Sequence, residues 1–363
     1  MSGGPNEARV LALTASLLDI ESETGHEKAI CDWLEDRIGA RGPDTLIRAG
    51  NSLCFAMRAL DPQKSTLMLV GHTDTVPKLS ENPVRREGDK LYGLGASDMK
   101  AADALLLDCL ETNAQLASRY NLVGVLYACE EGSFEGSEMP LVYEAARHMF
   151  DATDLAVCME PTDNNLELGC LGTCHAEVVF VGKRAHSARP WQGENAIHKA
   201  AGLLERLANT PREEHVFHGL TFYEVLSATT VGYRGARNVV PDRCTLNLNY
   251  RFAPGKDEGA VGARLREIVG ADATFEIVDF CPAGLVCGDN PLLTDLREVG
   301  GEFEVRAKQA WTDVGRLSHL GIDAVNWGPG ATSQAHQKGE WVAVSALRQA
   351  QETLWAWVFQ VEL

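Results

Sequence analysis

Three features of this 363-residue chain predict an α/β protein, a mixed, mostly parallel sheet flanked by helices with a smaller α+β domain inserted into it. Short apolar runs alternate with helical patterns up to about residue 160, the signature of strand–helix–strand units on a parallel sheet. Near Gly172 the order changes to β-α-β-β-α-β, the split-βαβ pattern of a small independent layer. After Cys281-Pro-Ala-Gly284 the first pattern resumes, so one domain interrupts the other. The predicted boundaries are 1–171 with 284–363 for the large domain and 172–283 for the inserted one.

The elements follow in order. Val10, Leu11, Leu13, Leu17 and Leu18 recur at helical spacing and predict a first helix over about 6–19, followed after the Ser22–Gly25 turn by a second over about 27–38. Strands are predicted at about 52–58 and 65–71, then a polar stretch from Lys78 to Lys90. The run of Ala101, Ala102, Ala104, Leu105, Leu106, Leu107 and Leu110 marks a helix over about 99–116. Strands at about 121–129 and 154–159 flank a helix near 137–149. In the insert we read strand 174–182, helix 194–208, strands 222–233 and 243–252, helix 257–269 and strand 273–279. A helix at about 290–300, a strand at 322–327 and a helix at 344–358 complete the large domain.

Composition narrows the function classes. A 45% hydrophobic content fills a core, while the net charge of -18 leaves no basic patch to neutralise phosphates. Nucleic acid and anionic membranes are therefore excluded as expected partners. No apolar stretch approaches the ~20 residues of a membrane span. The start MSGGPNEARV lacks a charged segment leading into an apolar one, so a cytoplasmic protein is expected. The ten cysteines form no C-x-x-C, and several lie inside apolar runs, where a thiol behaves as a small hydrophobe. Cys170 and Cys174 lack the second pair that a structural zinc site needs.

Chemistry gathers at predicted strand ends. His72 follows Ser65–Val70 in GHTDTVP, Glu130 and Glu131 follow Asn121–Cys129, Glu160 follows Asp154–Met159, and His336 comes after Ile322–Trp327 and a glycine-rich loop. Asp98, in GLGASDMK, precedes a helix. In an open α/β sheet the carboxyl ends of the strands meet at one crevice, so these side chains converge despite their separation in sequence. Each has a plainer reading alone: Asp98 as a helix cap, Glu160 as a loop acid before Pro161, Glu130-Glu131 as a solvated turn. Chance placement at every strand end together is improbable. Asp74, two residues past His72, projects to the same face and can fix the imidazole tautomer. Adjacent carboxylates at Glu130 and Glu131 would repel without a cation, which one resolves as metal ligand and the other as general base. The mixed His and carboxylate donors suit zinc, cobalt or manganese. If two ions sit ~3.5–4 Å apart, one carboxylate must bridge them, and Asp98 is central.

The strings GHTDTVP, GLGASDMK, ACEEGSFEG, MEPT and GPG…AHQKGE resemble, in order, the co-catalytic dizinc aminoacylase and carboxypeptidase superfamily. That superfamily includes acetylornithine deacetylases, glutamate carboxypeptidases and desuccinylases. LELGCLGT, AHSARPWQGENAIHKA, NVVPDRCTLNLNYRFAPG and AWTDVGRLSHLGIDAVNWGPG are most similar to actinobacterial desuccinylases acting on N-succinyl-L,L-2,6-diaminopimelate in lysine biosynthesis. The resemblance implies a phosphorylase/hydrolase-like domain with a ferredoxin-like dimerisation insert. It implies two divalent ions, zinc in the first instance, with His72 and Glu160 on one, Glu131 and His336 on the other, and Asp98 on both. Glu130 becomes the general base and Asp74 the group orienting His72, and the peptide after Asp98 is expected to be cis. The resemblance also places His186, of GKRAHSARP, in a neighbouring subunit's active site as oxyanion stabiliser, which implies a homodimer through the insert. Asn238, Arg251 and Thr312 match substrate contacts. One departure stands out. Proteobacterial desuccinylases carry a basic residue before the glycine that opens the insert, where this chain has Cys170-Leu171, leaving Arg189, Arg237 or Arg251 for the succinyl carboxylate. Acetylornithine deacetylase, or a broader N-acyl-amino-acid hydrolase or carboxypeptidase, shares every metal residue and is the alternative. A catalytically silent binding module is disfavoured by the intact Glu130.

Overall fold

The computed structural model describes residues 5–233, 235–299 and 303–359, and they form two compact units. The first comprises the chain up to Leu168, Cys287–Arg306 and the chain from Leu320 on. Its eight-stranded sheet runs in the order Thr45–Ala49, Ser52–Ala56, Asn121–Tyr127, Thr66–His72, Leu155–Cys158, Ala324–Asn326, Leu166–Leu168, Val305–Ala307. The four central strands are parallel, while Thr45–Ala49, Ser52–Ala56 and Leu166–Leu168 pair antiparallel at the flanks. Parallel strands covered on both faces read as unbroken apolar runs, and all seven residues of both Thr66–His72 and Asn121–Tyr127 are buried. Because the four run the same way, their carboxyl ends emerge together.

The helix Lys100–Asn113 is buried along its whole length, acids included. Its Glu111 carboxylate is neutralised by Arg9, Arg37 and Arg41, and Asp108 by Arg9, with Gln351 and Trp355 donating hydrogen bonds. Three partners for one buried carboxylate offset the desolvation that would otherwise neutralise it. The helix packs against Glu7–Leu18 and Val344–Phe359. The helix expected near 137–149 is broken at Ala146 into Met139–Ala145 and Arg147–Phe150. Within the polar Lys78–Lys90 stretch the chain turns back in a short hairpin, Arg85–Glu87 with Lys90–Tyr92.

The second unit comprises Gly169–Val286 and Ala307–His319. Its five strands lie in the order Glu213–Phe217, Leu220–Gly232, Arg243–Phe252, Gly172–Val181, Thr274–Cys281, every neighbour antiparallel. Cys174, Ala176, Val178 and Phe180 alternate inward with Leu246, Leu248, Tyr250 and Phe252, and helices Ala196–Asn209 and Glu258–Val269 cover that face. Glu213–Phe217 is a strand beyond the split-βαβ pattern. The stretch Ala307–His319, assigned from sequence to the large domain, clusters here instead. Trp311 Nε1 donates to the Pro282 carbonyl (3.0 Å), Cys170 Sγ to the Thr312 carbonyl (3.6 Å), and Gln309 Nε2 to the Thr221 carbonyl (2.7 Å). All ten cysteines are free, and eight are buried.

Candidate metal centre

Every predicted ligand sits in the first unit, at the shared carboxyl end of its parallel strands. His72 closes the strand Thr66–His72 and is buried. Its Nδ1 lies 3.2 Å from the Asp74 carbonyl oxygen and 3.5 Å from Asp74 Oδ1, and its Nε2 lies 3.1 Å from Asp98 Oδ1. Asp74 therefore anchors one ring nitrogen and leaves Nε2 pointing at Asp98. Burial disfavours the imidazolium, but Asp74 and Asp98 outweigh it and hold the ring well above the ordinary histidine range.

Asp74 also shapes the next loop. Its carboxylate accepts the backbone N–H groups of Glu130 and Glu131, both at 3.0 Å, and the Thr24 hydroxyl at 3.0 Å. Burial would raise the Asp74 carboxyl; the His72 ring and the two amides prevail and hold it below the usual carboxylate range. The turn that presents those amides begins at Cys129, whose φ of 61° lies in the left-handed region that non-glycine residues seldom occupy. His336, at φ 59°, is a second such residue. Its Nε2 lies 2.9 Å from Glu131 Oε1 and 3.6 Å from Asp98 Oδ2. The Glu131 partner raises it to about 9.

Two donor sets share one carboxylate. His72, Asp98 and Glu160 form one and Asp98, Glu131 and His336 the other, ligand atoms within 4.8 Å of one another in each; His72, Glu130 and Glu131 form a third combination. Five carboxylates, counting Asp74, meet two imidazoles here, so the cluster calls for cations. The residues thus fit two divalent ions, with Asp98 common to the two donor sets, and the oxygen and nitrogen donors, with no thiolate among them, suit zinc-like metals. The Asp98–Met99 peptide is cis.

Two features within the GPG…AHQKGE string have roles that the sequence does not assign. Glu340, buried, accepts the backbone N–H groups of Ser97 (2.7 Å) and Asp98 (2.9 Å) on Oε1 and of Gly95 (2.8 Å) on Oε2, and so holds the loop carrying Asp98. Its only sequence signal is its position four residues after His336. The GPG loop is the other. A Cβ on Gly328 would lie 2.4 Å from the Met159 carbonyl oxygen, and one on Gly330 would lie 2.1 Å from that of Ser97, so only glycine lets this loop close onto the Glu160 and Asp98 segments.

The remaining predicted residues belong to the second unit. His186 is exposed in a two-residue strand paired with Val239–Val240, and Ser187 N–H donates to the Asn238 carbonyl (2.9 Å), so His186 and Asn238 are neighbours. Arg251 is half-buried on the strand Arg243–Phe252. Thr312 is 3% exposed and its carbonyl accepts from Cys170 Sγ. Cys170 and Leu171 are packed in the interior and offer nothing to a substrate carboxylate. A further acidic group, Glu213, His215 and Glu224, already holds its cations, since Lys256 pairs with Glu224 and Arg264 with Glu213.

The family model described as peptidase family M20/M25/M40 matches residues 68–360. The chain belongs to this family. It is 38% identical over 346 residues, 95% of this chain and 96% of the relative, to a Mycobacterium tuberculosis protein named "Putative succinyl-diaminopimelate desuccinylase DapE". It is 35% identical to the succinyl-diaminopimelate desuccinylase of Corynebacterium glutamicum, over 91% of this chain and 90% of that one. Among solved structures, aminopeptidase PepT of Bacillus cereus superposes with a TM-score of 0.79 at 17% identity, covering 97% of this chain and 98% of that one, a likeness of fold. Among the described residues of this M20 chain, no helix is long and apolar enough to cross a membrane.

Proposed function

We propose that this M20 chain is a dimetal amidohydrolase that cleaves N-succinyl-L,L-2,6-diaminopimelate to succinate and L,L-2,6-diaminopimelate in lysine biosynthesis, acting in the cytoplasm. The observation that carries the metal chemistry is the pair of three-residue donor sets meeting at Asp98. The substrate assignment rests on the two desuccinylase-named relatives, each matched along nine-tenths or more of its length.

When bound, two divalent ions, zinc in our reading, supply the Lewis acidity that activates water and the amide carbonyl. His72 and Glu160 would hold one ion, Glu131 and His336 the other, and Asp98 would serve both. Asp74 keeps the His72 ring in the orientation that aims Nε2 at the site. Glu130 takes the proton of the attacking water and returns it to the leaving nitrogen. Arg251 pairs with a substrate carboxylate and Asn238 and Thr312 complete the substrate contacts, while His186 of a second copy stabilises the oxyanion, which makes the working form a homodimer.

Steady-state hydrolysis by metal-reconstituted protein tests the reading, comparing N-succinyl-L,L-diaminopimelate with N-acetylornithine, each with and without chelator. Chelator-sensitive turnover of the succinyl compound is the expected result. Preference for the acetyl compound would keep the dimetal centre and overturn the substrate.

A further inference from the structure

A row of polar side chains crosses the open face of the second unit's sheet, and its hydrogen bonds determine one another. Alternation along Arg243–Phe252 sends Leu246, Leu248, Tyr250 and Phe252 into the core and leaves Asn247, Asn249 and Arg251 on the opposite face. Asn249 lies directly across from His175 and Arg251 across from Thr173 on the neighbouring strand. Arg251 Nε donates to Asn249 Oδ1 (3.2 Å), Asn249 Nδ2 faces His175 Nε2 (3.1 Å), and the Asn247 amide faces His175 Nδ1 (3.2 Å) and Thr229 Oγ1 (2.6 Å).

A guanidinium has no acceptor, so the Asn249 atom facing Arg251 must be oxygen, and its amide nitrogen necessarily points at His175. His175 Nε2 must then accept. The neutral ring that results carries its proton on Nδ1 and donates it toward Asn247, so the Asn247 atom there is its oxygen. The structure places Asn247 Nδ2 against both His175 Nδ1 and Thr229 Oγ1; with that amide turned over, its oxygen accepts the Thr229 hydroxyl, and 2.6 Å is an ordinary O–H···O length but short for N–H···O. One orientation satisfies the whole chain from Arg251 to Thr229.

We propose that Asn249 is a positioning residue, held by neutral Nδ1–H His175 and by Asn247, that fixes Arg251 through its Nε and aims its two terminal amino groups at a substrate carboxylate. This rests on the carboxylate-binding role given to Arg251 above. No other hydrogen-bond partner of the Arg251 side chain occurs among the described residues. A guanidinium tethered at Nε keeps its Nη pair available for a bidentate contact, and loses little freedom on binding.

The test joins spectroscopy to kinetics. Long-range ¹H–¹⁵N correlation on the metal-loaded protein should show His175 as the neutral Nδ1–H tautomer; the Nε2–H form would overturn the relay. Asn249→Leu should raise KM for N-succinyl-L,L-diaminopimelate about tenfold, with kcat within twofold and metal content unchanged. In an Arg251→Leu background the same change should add nothing to KM, whereas an additive effect would refute action through Arg251. Asn249→Asp keeps the acceptor for Arg251 and should hold KM near wild type while forcing a proton onto His175 Nε2. If the succinyl compound is not turned over at all, the proposed function falls, and the His175 tautomer still decides the relay.

Discussion

Burial pushes the Glu340 carboxyl up to about 7 against the pull of its three backbone N–H groups, so above that pH replacing it by glutamine removes an anionic clamp beneath the candidate bridging residue and changes almost no volume. Glu340 takes three backbone N–H groups from the Gly95–Asp98 loop at 2.7–2.9 Å. A glutamine can keep the two donated by Ser97 and Asp98 on its oxygen, but its NH₂ must then face the Gly95 N–H. One charge-assisted bond is lost and two donors confront each other, a cost of about 2–3 kcal/mol. The loop is also where Asp98 must sit to serve both donor sets, so we expect the cost to appear largely in metal binding. A loss of about 2 kcal/mol weakens affinity roughly 30-fold. Competition against a chromophoric chelator measures that directly, and thermal unfolding of the chelated protein measures what remains as plain stability. Wild-type metal affinity combined with a lowered Tm would refute the clamp and leave Glu340 as packing alone.

Three further outcomes follow from the geometry. Glu130→Gln should retain two metal equivalents per chain and lose about 10²–10⁴ in kcat, measured by elemental analysis alongside turnover; activity like wild type would remove Glu130 from the base role. His336, raised to about 9 by Glu131 from an ordinary 6.5, lends the chelated protein a stabilisation that is complete below about pH 6.5 and fades as the pH rises through about 9; Tm across that window should fall, and His336→Ala should flatten the slope. Gly330→Ala places a methyl 2.1 Å from the Ser97 carbonyl oxygen and should destabilise the protein by about 1–3 kcal/mol in denaturant unfolding, with weaker metal binding alongside.

The residues that sequence patterning located, His336 apart, share one property: each closely follows an apolar run or opens a long helix. Thr66–His72, Asn121–Tyr127 and Leu155–Cys158 are buried throughout, so burial writes itself into composition, and the ligand follows where the run stops. Thr45–Ala49, at the sheet's edge, is half-buried with Arg48 within it, and three-residue strands such as Trp341–Ala343 are too short to carry a period. Glu340 precedes such a strand and serves amides more than 240 residues away, so its place in the AHQKGE string marks the residue but not what it does. Asn249 and His175 are 74 positions apart and meet only through strand register. Ala307–His319 has a helix of its own, Val314–His319, yet its allegiance is set by single hydrogen bonds to Pro282 and Thr221 that no periodicity encodes.

Charge explains why these separate devices serve one centre. Asp74, Asp98, Glu130, Glu131 and Glu160 would drive one another apart, and in the metal-free chain the protons on His72 and His336 take up part of that repulsion. Divalent ions held at these donor sets would displace those protons from the imidazole nitrogens, so metal uptake would release protons and tighten as the pH rises. Asp74 limits the disorder this exchange could cause. By tying the His72 ring to the amides of Glu130 and Glu131, it couples the end of one strand to the loop that follows the next. Glu340 does the same for Asp98, and Gly328 and Gly330 press the last loop onto both. The carboxylates would supply the attraction for cations, but backbone amides, held by Asp74 and Glu340, decide where the cations would sit.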